Sequence, residues 1–333
     1  MSIHARFSIP SAPPRLGQKP LVAFGLALGL ALAVPASAQN FPAKSVEMTI
    51  LFGSTAQTIG QVLADQMSKN LPQPVVPVSR TGGGGAIGYT HVQGTKPDGY
   101  NIVWNSNSIS TTHHSGAMKF DHKAFTPIAR VSLEPVVVAV RSDSGWNSLK
   151  DVADAVKSGK AKLRVGASGR GSFTHMTTFS IFKRLGIQDR VIFAPYDEGK
   201  APVELLGNRV DVAVQWPGQF VSHAKAGTLK ILCVSSGKKS PILPDVPTCS
   251  ESGATGLDLT MWRGLAAPAG TPPEAIEKLQ AAAKAAVDSP VFKNAAEKIG
   301  FEIGFLPAKE FGNVIASDDK EIAALMVELG LKK

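Results

Sequence analysis

Two glycine-rich segments of the chain have the residue types that hold an anion. In the first, Gly83-Gly84-Gly85-Ala86-Ile87-Gly88 satisfies G-x-G-x-x-G, a spacing that lets the backbone approach a ligand and point N–H groups at it. The acidic residue that a dinucleotide site needs about twenty positions later is missing, because Trp104, Asn105 and Ser106 stand there. The segment therefore favours either close backbone contact with a small ligand, with Gly84 as the candidate, or a tight turn without one.

The second segment, Ser168–His175, joins a predicted strand to a predicted helix. N–H groups at a helix start, together with hydroxyls, suit a carboxylate, and Arg170 can add a bidentate contact. A solvated loop is the alternative. The candidate ligand-binding residues here are Ser168, Gly169, Arg170, Gly171, Ser172 and His175. A hydrolase that uses Ser172 and His175 is a second hypothesis, although the sequence has no G-x-S-x-G motif and no identifiable third partner.

Polar and aromatic residues follow other predicted strands and suit the rim of a cleft for a small polar ligand. These further candidates are Phe52, Gly53, Ser54, Thr55, Gln57, Asn105, Ser106, Tyr196 and Gln215. Ordinary turn chemistry explains each one singly, but their shared position after strands matches the place where α/β sheets bind ligands.

Metal and cofactor sites are not indicated. His113 and His114 are adjacent, are expected in a loop, and cannot both face one metal on a regular element, so we predict neither a metal nor a cofactor. Cys233 and Cys249 form either a disulfide, which export permits, or two buried free thiols, and their spacing does not decide between the two.

Alternating strand and helix patterns must position these residues. The predicted strands are residues 46–52, 75–79, 100–105, 135–141, 163–166, 191–194, 210–214, 230–234 and 260–267. The predicted helices are residues 56–69, a short helix from the glycine run to Gly94, and residues 149–157, 174–185, 201–206, 219–226, 272–287, 290–299 and 309–329. Thr271 and Glu274 are predicted to form a capping box, and Gly330 suits the position after a helix end. The alternation predicts mainly parallel sheets flanked by helices.

The amino-terminal residues indicate export. Arg6, Arg15 and Lys19 precede an apolar run at residues 21–34, and Ala36-Ser37-Ala38 is a small-x-small cleavage site. This order is typical of a signal peptide over residues 1–38, since the run is shorter than the roughly twenty residues of a membrane span. An uncleaved anchor is the alternative. Lysines and arginines are scattered through the rest of the chain, which argues against nucleic-acid binding.

The remaining length suggests two lobes. We predict a discontinuous first domain at residues 39–132 and 263–333 and a second domain at residues 133–262, joined by strands. Such lobes are suited to closing over a ligand.

An ordered set of segments resembles the substrate-binding receptors of tripartite tricarboxylate transporters, the Bug family. The segments are residues 73–76, 80–88, 96–100, 125–129, 168–175, 195–199, 224–230, 243–248 and 262–272. The resemblance implies a two-domain Venus-flytrap fold, type II-like, that captures a small organic acid in the periplasm. It further implies delivery to the membrane permease subunits of a transporter, a monomeric receptor without catalysis, and carboxylate binding by the loops at residues 52–58 and 168–175. A ligand-presenting sensor for a membrane kinase is an alternative.

One loop departs from the pattern of the family. The family's first loop is usually longer, with a glycine run and an aspartate, whereas this chain has the shortened Gly53-Ser54-Thr55-Ala56-Gln57. We therefore predict that the hydroxyls of Ser54 and Thr55 and the amide of Gln57 replace some backbone contacts with the ligand.

Overall fold

A computed structural model describes residues 41–159, 161–196 and 200–332. The predicted signal peptide lies outside these residues. Within the described ranges, no helix combines the length and the apolar character needed to cross a membrane.

The first sheet is mixed and has the strand order β11-β4-β10-β3-β1-β2. Its strands are β1 (Val46–Ile50), β2 (Val75–Ser79), β3 (Asn101–Ser106), β4 (Phe125–Pro135), β10 (Thr260–Pro268) and β11 (Glu302–Pro307). Strand β1 is parallel to β2 and β3, whereas β10 is antiparallel to β3 and β4, and β11 is antiparallel to β4. Most of β4 and all of β11 were missed by the sequence analysis.

The second sheet has the order β7-β6-β8-β5-β9. Its strands are β5 (Val137–Arg141), β6 (Leu163–Ala167), β7 (Val191–Pro195), β8 (Val212–Gln215) and β9 (Leu229–Val234). Strand β6 is parallel to β7 and β8, and β5 is antiparallel to β8 and β9. The two-domain α/β fold class is therefore confirmed, with mixed sheets.

The antiparallel pairings have a topological reason. The chain leaves the first sheet at the end of β4 and returns at the start of β10, and these two strands pair from Thr260–Pro135 to Pro268–Phe125. A strand that leaves and a strand that returns run in opposite directions, so a purely parallel sheet is excluded at the connection. The exact domain boundaries at residues 132–133 and 262–263 stay a prediction.

The helices flank both sheets at close to the predicted positions. They are α1 (Ser54–Ser68), α2 (Ala86–Gln93), α3 (Ser108–His114), α4 (Leu149–Ser158), α5 (Phe173–Arg184), α6 (Lys200–Leu206), α7 (Val221–Lys225), α8 (Pro273–Asp288), α9 (Pro290–Ile299) and α10 (Ala308–Glu328). Single 3-10 turns span Gly83–Gly85, His122–Ala124, Ser142–Ser144, Gln188–Arg190 and Pro217–Gln219.

Two local predictions about helices were wrong. Residues 108–114 form α3, so His113 and His114 end a helix instead of lying in a loop. Thr271 does not cap α8: its Oγ1 donates to the carbonyl of Pro268 at 2.8 Å. The N-cap is Pro272, with φ −54° and ψ 138°, because a residue before proline is driven to extended backbone and the helix can begin only at Pro273. Gly330 follows α10 with φ 65°, as predicted.

Helix α10 packs against both domains. Phe311 and Ile315 join the buried cluster beside the first sheet, whereas Ile322 and Met326 join the cluster of the second. The helix has 21 residues, and at about 1.5 Å per residue it is some 30 Å long, enough to reach both cores.

Cys233 and Cys249 form a disulfide, with Cα atoms 4.9 Å apart. The bond lies in the second domain, where both residues belong to the main buried cluster. Of the two alternatives that the sequence left open, the disulfide is the one that the structure contains.

Candidate ligand-binding site

A cleft of about 600 Å³ lies at the carboxyl ends of strands from both sheets. It is lined after β1 by Phe52, after β2 by Gly83 and Gly84, after β6 by the loop 168–172, after β7 by Tyr196 and after β8 by Trp216. Its volume falls in the range of small-molecule sites, about 300–1,000 Å³. The cleft therefore lies where the strand pattern predicted one.

The second-domain wall is the loop before α5, and this wall offers hydrogen-bond donors. Ser172 is the N-cap of α5, and its Oγ accepts from the backbone N–H of His175 at 3.2 Å. Thr174 Oγ1 accepts from the N–H of Ser168 at 3.0 Å. These bonds hold the loop in place, and Gly171, with φ 81°, completes its turn.

Several donors of this loop have no acceptor among the described residues. They include the N–H groups of Gly169 and Arg170. Gln215 Nε2 donates to Ser168 Oγ at 2.7 Å, so Ser168 keeps its own proton for another acceptor. Arg170 is exposed, makes no ion pair within the described ranges, and stands 5.9 Å from the ring centre of Phe193. The wall can therefore receive an anion.

The first-domain wall is the glycine turn and α3. Gly82, Gly83, Gly84 and Gly85 have φ values of 122°, 59°, 68° and 102°, which side chains with a Cβ rarely adopt. Thr112 Oγ1 of α3 donates to the carbonyl of Gly84 at 2.6 Å and ties the two together. The glycine run thus makes a tight turn, and Gly83 and Gly84 line the cleft.

The hydroxyls of α3 on this wall donate to backbone carbonyls. Besides Thr112, Thr111 Oγ1 donates to Ser108 O at 3.2 Å, and Ser115 Oγ donates to Thr112 O at 3.0 Å. A hydroxyl has one proton and two lone pairs. These three hydroxyl residues, Thr111, Thr112 and Ser115, form an acceptor wall in the cleft, whereas the N–H groups of Gly83 and Gly84 beside them have no acceptor among the described residues.

An ion pair lies at the floor of the cleft. Arg263 of β10 lines the cleft, and its Nε and Nη2 donate to Glu134 Oε1 at 2.7 Å and Oε2 at 3.2 Å. Both side chains are buried, with 5% and 3% exposure. Ser132 Oγ also donates to Glu134 Oε1, at 3.3 Å, so the carboxylate that balances Arg263 is itself well bonded.

Aromatic side chains line the space between the walls. Phe173 and Trp216 stack with ring centres 6.3 Å apart and planes 17° from parallel. Phe52 and Tyr196 line the cleft from the two domains, and Met261 adds an apolar contact. The middle of the cleft therefore suits an apolar or aromatic group.

His175 lies outside this cleft, contrary to the prediction. Its Nδ1 accepts from the N–H of Gly171 at 3.1 Å, and its ring packs 4.1 Å from that of Phe193 and lines a separate pocket of about 270 Å³. Burial, with help from the charge of Arg170, lowers the pKa of His175 to about 4. The imidazole does not hydrogen-bond Ser172 Oγ, so the two do not form the nucleophile–base pair of the hydrolase hypothesis.

The shortened first loop contributes only Phe52 to the cleft. Gly53, Ser54, Thr55 and Gln57 were predicted to line it and do not. Helix α1 begins at Ser54, only four residues after β1 ends. The short connection leaves these four residues outside the lining, and the exchange of backbone contacts for side-chain contacts with the ligand stays a prediction.

Asn105, Ser106 and Gln215 support the lining from behind. All three are buried. Asn105 Oδ1 accepts from Tyr89 Oη at 2.7 Å, and Ser106 Oγ lies 2.8 Å from Ser108 Oγ of the first-domain wall. Gln215 holds Ser168 through the bond described above. They position lining residues without lining the cleft.

Sequence reasoning missed several lining residues. These are Thr111, Thr112, Ser115, Ala117, Met261 and Arg263, together with Gly83, Asn107, Ser108, Phe173, Thr174 and Trp216, which the sequence indicated only as neighbours of candidates. A signal was present for Arg263, since a lone cation in a strongly apolar strand usually has a buried partner. The described residues contain no group of three metal-ligating side chains.

Comparisons with known proteins agree on one family. The family model described as "Tripartite tricarboxylate transporter family receptor" matches residues 59–331. A UPF0065 protein in the gbd 5′ region of Cupriavidus necator is 29% identical over 313 residues, covering 92% of this chain and 94% of that one. A TctC solute-binding protein from Polaromonas is 28% identical, with a TM-score of 0.76 over 86% of this chain and 99% of that one. The periplasmic binding protein BugD is also 28% identical, with a TM-score of 0.72 over 88% and 100%.

Proposed function

Because this chain belongs to the tripartite tricarboxylate transporter receptor family, we propose that it is an exported receptor that captures a small organic acid in the cleft between its domains. The receptor then delivers the acid to the membrane permease subunits of such a transporter. It acts as a monomer in the periplasm, after removal of residues 1–38.

The observation that carries this proposal is the donor wall at residues 168–172. Residues 168–172 line one side of a cleft of about 600 Å³, and they supply backbone N–H groups, the Ser168 hydroxyl and the guanidinium of Arg170, which lies between this cleft and the pocket of His175. Hydrogen bonds to a charged group contribute about 1.5–3 kcal/mol each, so two or three of them are enough to retain a carboxylate. No acidic residue stands among the described lining residues to repel it.

Binding without turnover agrees with this geometry. The candidate nucleophile Ser172 caps α5 and has no hydrogen bond to an imidazole within the described ranges. If the protein were a hydrolase, His175→Ala would abolish turnover. For a receptor, the same variant loosens the loop at Gly171 and only weakens binding.

Titration calorimetry of the purified protein tests ligand capture. The panel contains dicarboxylates, aromatic acids, amino acids and nicotinate, and includes adipate and malate, which occur with two proteins of this fold. We expect one acid to bind at a 1:1 ratio and Arg170→Met to weaken it at least tenfold. Arg184→Met, a cation on α5 outside the cleft, is the matched control and should leave binding unchanged. If no acid binds, the proposal fails.

Export and transport need separate measurements. Amino-terminal sequencing of protein from the periplasmic fraction should begin near Gln39. Deletion of the gene should abolish uptake of the acid that binds, whereas a sensor for a membrane kinase would instead lose an induced response while uptake continues.

A further inference from the structure

We infer that the cleft selects an acid with a single carboxylate whose far end carries a hydrogen-bond donor, such as a hydroxyl or an amine, and that it discriminates against dicarboxylates. This inference rests on the proposed function and specifies its ligand class. It follows from the charges of the cleft and from the hydrogen bonds of the donor wall at residues 168–172 and of the acceptor wall, which are opposite in character.

The charge balance of the cleft leaves one unmatched cation among the described lining residues. Arg170 and Arg263 are the two cations there, but Arg263 is held bidentately by Glu134 and the pair is buried. A ligand carboxylate placed against Arg263 would also approach the Glu134 carboxylate behind it. Among the described lining residues, Arg170 is the cation without a carboxylate partner, and it stands on the donor wall.

The acceptor wall formed by Thr111, Thr112 and Ser115 is unsuited to a second carboxylate. The protons of Thr111, Thr112 and Ser115 are already donated to the carbonyls of Ser108, Gly84 and Thr112. A carboxylate has only acceptors, so it would face lone pairs or force these hydroxyls to break their bonds to the backbone. The N–H of Ser108 is likewise committed, donating to Ser106 Oγ at 3.2 Å.

A donor on the ligand satisfies the same wall without any rearrangement. A hydroxyl or amine can give its proton to a lone pair of Thr111 or Ser115 while the helix keeps its own bonds. Between the walls, the stacked pair Phe173 and Trp216 and the ring of Phe52 favour an apolar or aromatic middle. The complementary ligand thus has a carboxylate, an apolar body and a donor, in that order.

Ligand pairs that differ only at the far end test this inference. For an aromatic body, we compare 4-hydroxybenzoate, benzoate and terephthalate. For an aliphatic one, we compare 6-hydroxyhexanoate, hexanoate and adipate. In calorimetry at pH 7, we expect the hydroxy acid of at least one series to bind at least tenfold more tightly than the diacid, a ratio that corresponds to about 1.4 kcal/mol, with the unsubstituted acid between them.

Variants of the acceptor wall separate the two ends of the ligand. The double variant Thr111→Val/Ser115→Ala removes two acceptors from the cleft. The hydrogen bonds that these two hydroxyls donate within the protein go only to carbonyls of α3. The double variant should reduce the advantage of the hydroxy acid over the unsubstituted acid to less than about twofold, while the unsubstituted acid binds as before. Thr58→Val is the matched control, because Thr58 Oγ1 donates to Ser54 O in the same way on α1, outside the cleft.

The outcomes distinguish this inference from the function on which it rests. If a diacid binds as tightly as its hydroxy acid or more tightly, the inference is wrong and the receptor function stands. A hydroxyl advantage that survives Thr111→Val/Ser115→Ala also refutes it, because the donor would then be bound elsewhere. If no acid binds, both proposals fail.

Discussion

The carboxyl group of Asp318 on α10 is predicted to destabilise the folded protein at neutral pH. Asp318 Oδ2 accepts from Trp262 Nε1 at 2.5 Å and from Asn107 Nδ2 at 3.4 Å. Burial raises the pKa of this carboxyl to about 6, the charge of Glu321 acts in the same direction, and the two hydrogen bonds and Arg130 oppose it. The carboxyl group of Asp318 therefore keeps its proton to a higher pH in the folded protein than in the unfolded chain.

The sign and size of the effect follow from this pKa. Since the folded value lies above the ordinary 3.8, the folded protein retains a proton between about pH 4 and 6 that the unfolded chain has released, so stability falls as pH rises through this window. A shift from 3.8 to about 6, at about 1.4 kcal/mol per pKa unit, corresponds to about 3 kcal/mol lost above pH 6. Asp318→Asn keeps an oxygen acceptor for both donors and has no charge to bury.

We therefore expect Asp318→Asn to raise the free energy of unfolding by about 2–3 kcal/mol at pH 7 and to have little effect at pH 4. Urea unfolding of both proteins at intervals across this range measures the difference. Glu310→Gln, an exposed carboxylate at the start of the same helix, is the matched control and should preserve the pH profile. Unchanged or lower stability of Asp318→Asn at pH 7 would refute the reasoning.

Three further predictions concern the scaffold. Reduction of the Cys233–Cys249 bond, which joins residues 16 apart, should lower the free energy of unfolding by about 3 kcal/mol. Urea unfolding midpoints with and without dithiothreitol measure this loss, and equal midpoints would contradict the prediction. Glu134→Gln and Arg263→Met should each lower the free energy of unfolding by about 3–5 kcal/mol, because each leaves the other member of the buried pair without its partner. The double variant should lose much less than the sum of the two. Additive losses would show that the pair is not coupled. Gly264→Ala should lower the free energy of unfolding by about 1–3 kcal/mol, because a Cβ there would lie 2.5 Å from the carbonyl oxygen of Ala129. Gly53→Ala is the control, since a Cβ at that position meets nothing within 4 Å. Similar thermal midpoints for the two variants would contradict the steric argument.

The position of the cleft could be predicted because it depends on local patterns. Strand and helix periods gave the order of the elements, and the carboxyl ends of parallel strands meet at one edge. Phe52, Gly84, the loop 168–172 and Tyr196 were found for this reason. Gln215, the last residue of β8, is buried and bonds to Ser168 without lining the cleft itself. Alternation along a strand does not show which side chains reach the cleft unless the register is known.

Helix α3 could not be predicted from local propensity. Its sequence, Ser-Ile-Ser-Thr-Thr-His-His, contains no strong helix former. Distant contacts hold it: Thr112 bonds to Gly84, and His114 Nε2 lies 3.0 Å from Asp319 Oδ1 of α10. The acceptor wall was missed together with the helix, because only helical geometry brings Thr111, Thr112 and Ser115 together and lets their hydroxyls donate to backbone carbonyls.

The misplacement of His175 has a related cause. All the candidates in residues 168–175 were predicted to face the ligand although a helix was predicted from residue 174, and α5 begins at Phe173. Once the chain turns into a helix, successive side chains diverge by about 100°, so Thr174 and His175 face different pockets. The turn into the helix also leaves N–H groups of the preceding loop without an acceptor among the described residues, and these are the donors of the proposed carboxylate site.

The two walls of the cleft owe their opposite character to where each helix begins. Before α5 the chain makes a Gly/Ser loop, in which the N–H groups of Gly169 and Arg170 and the Arg170 guanidinium have no acceptor or carboxylate partner within the part of the chain that the structure describes. At α3, the hydroxyl residues lie within and at the end of the helix, where backbone carbonyls are close enough to accept their hydrogen bonds. The buried pair of Arg263 and Glu134 then removes the second positive charge from the floor. We therefore expect a change of ligand class to require no change of fold, because a cation in place of one acceptor hydroxyl supplies a charge that can match a second carboxylate.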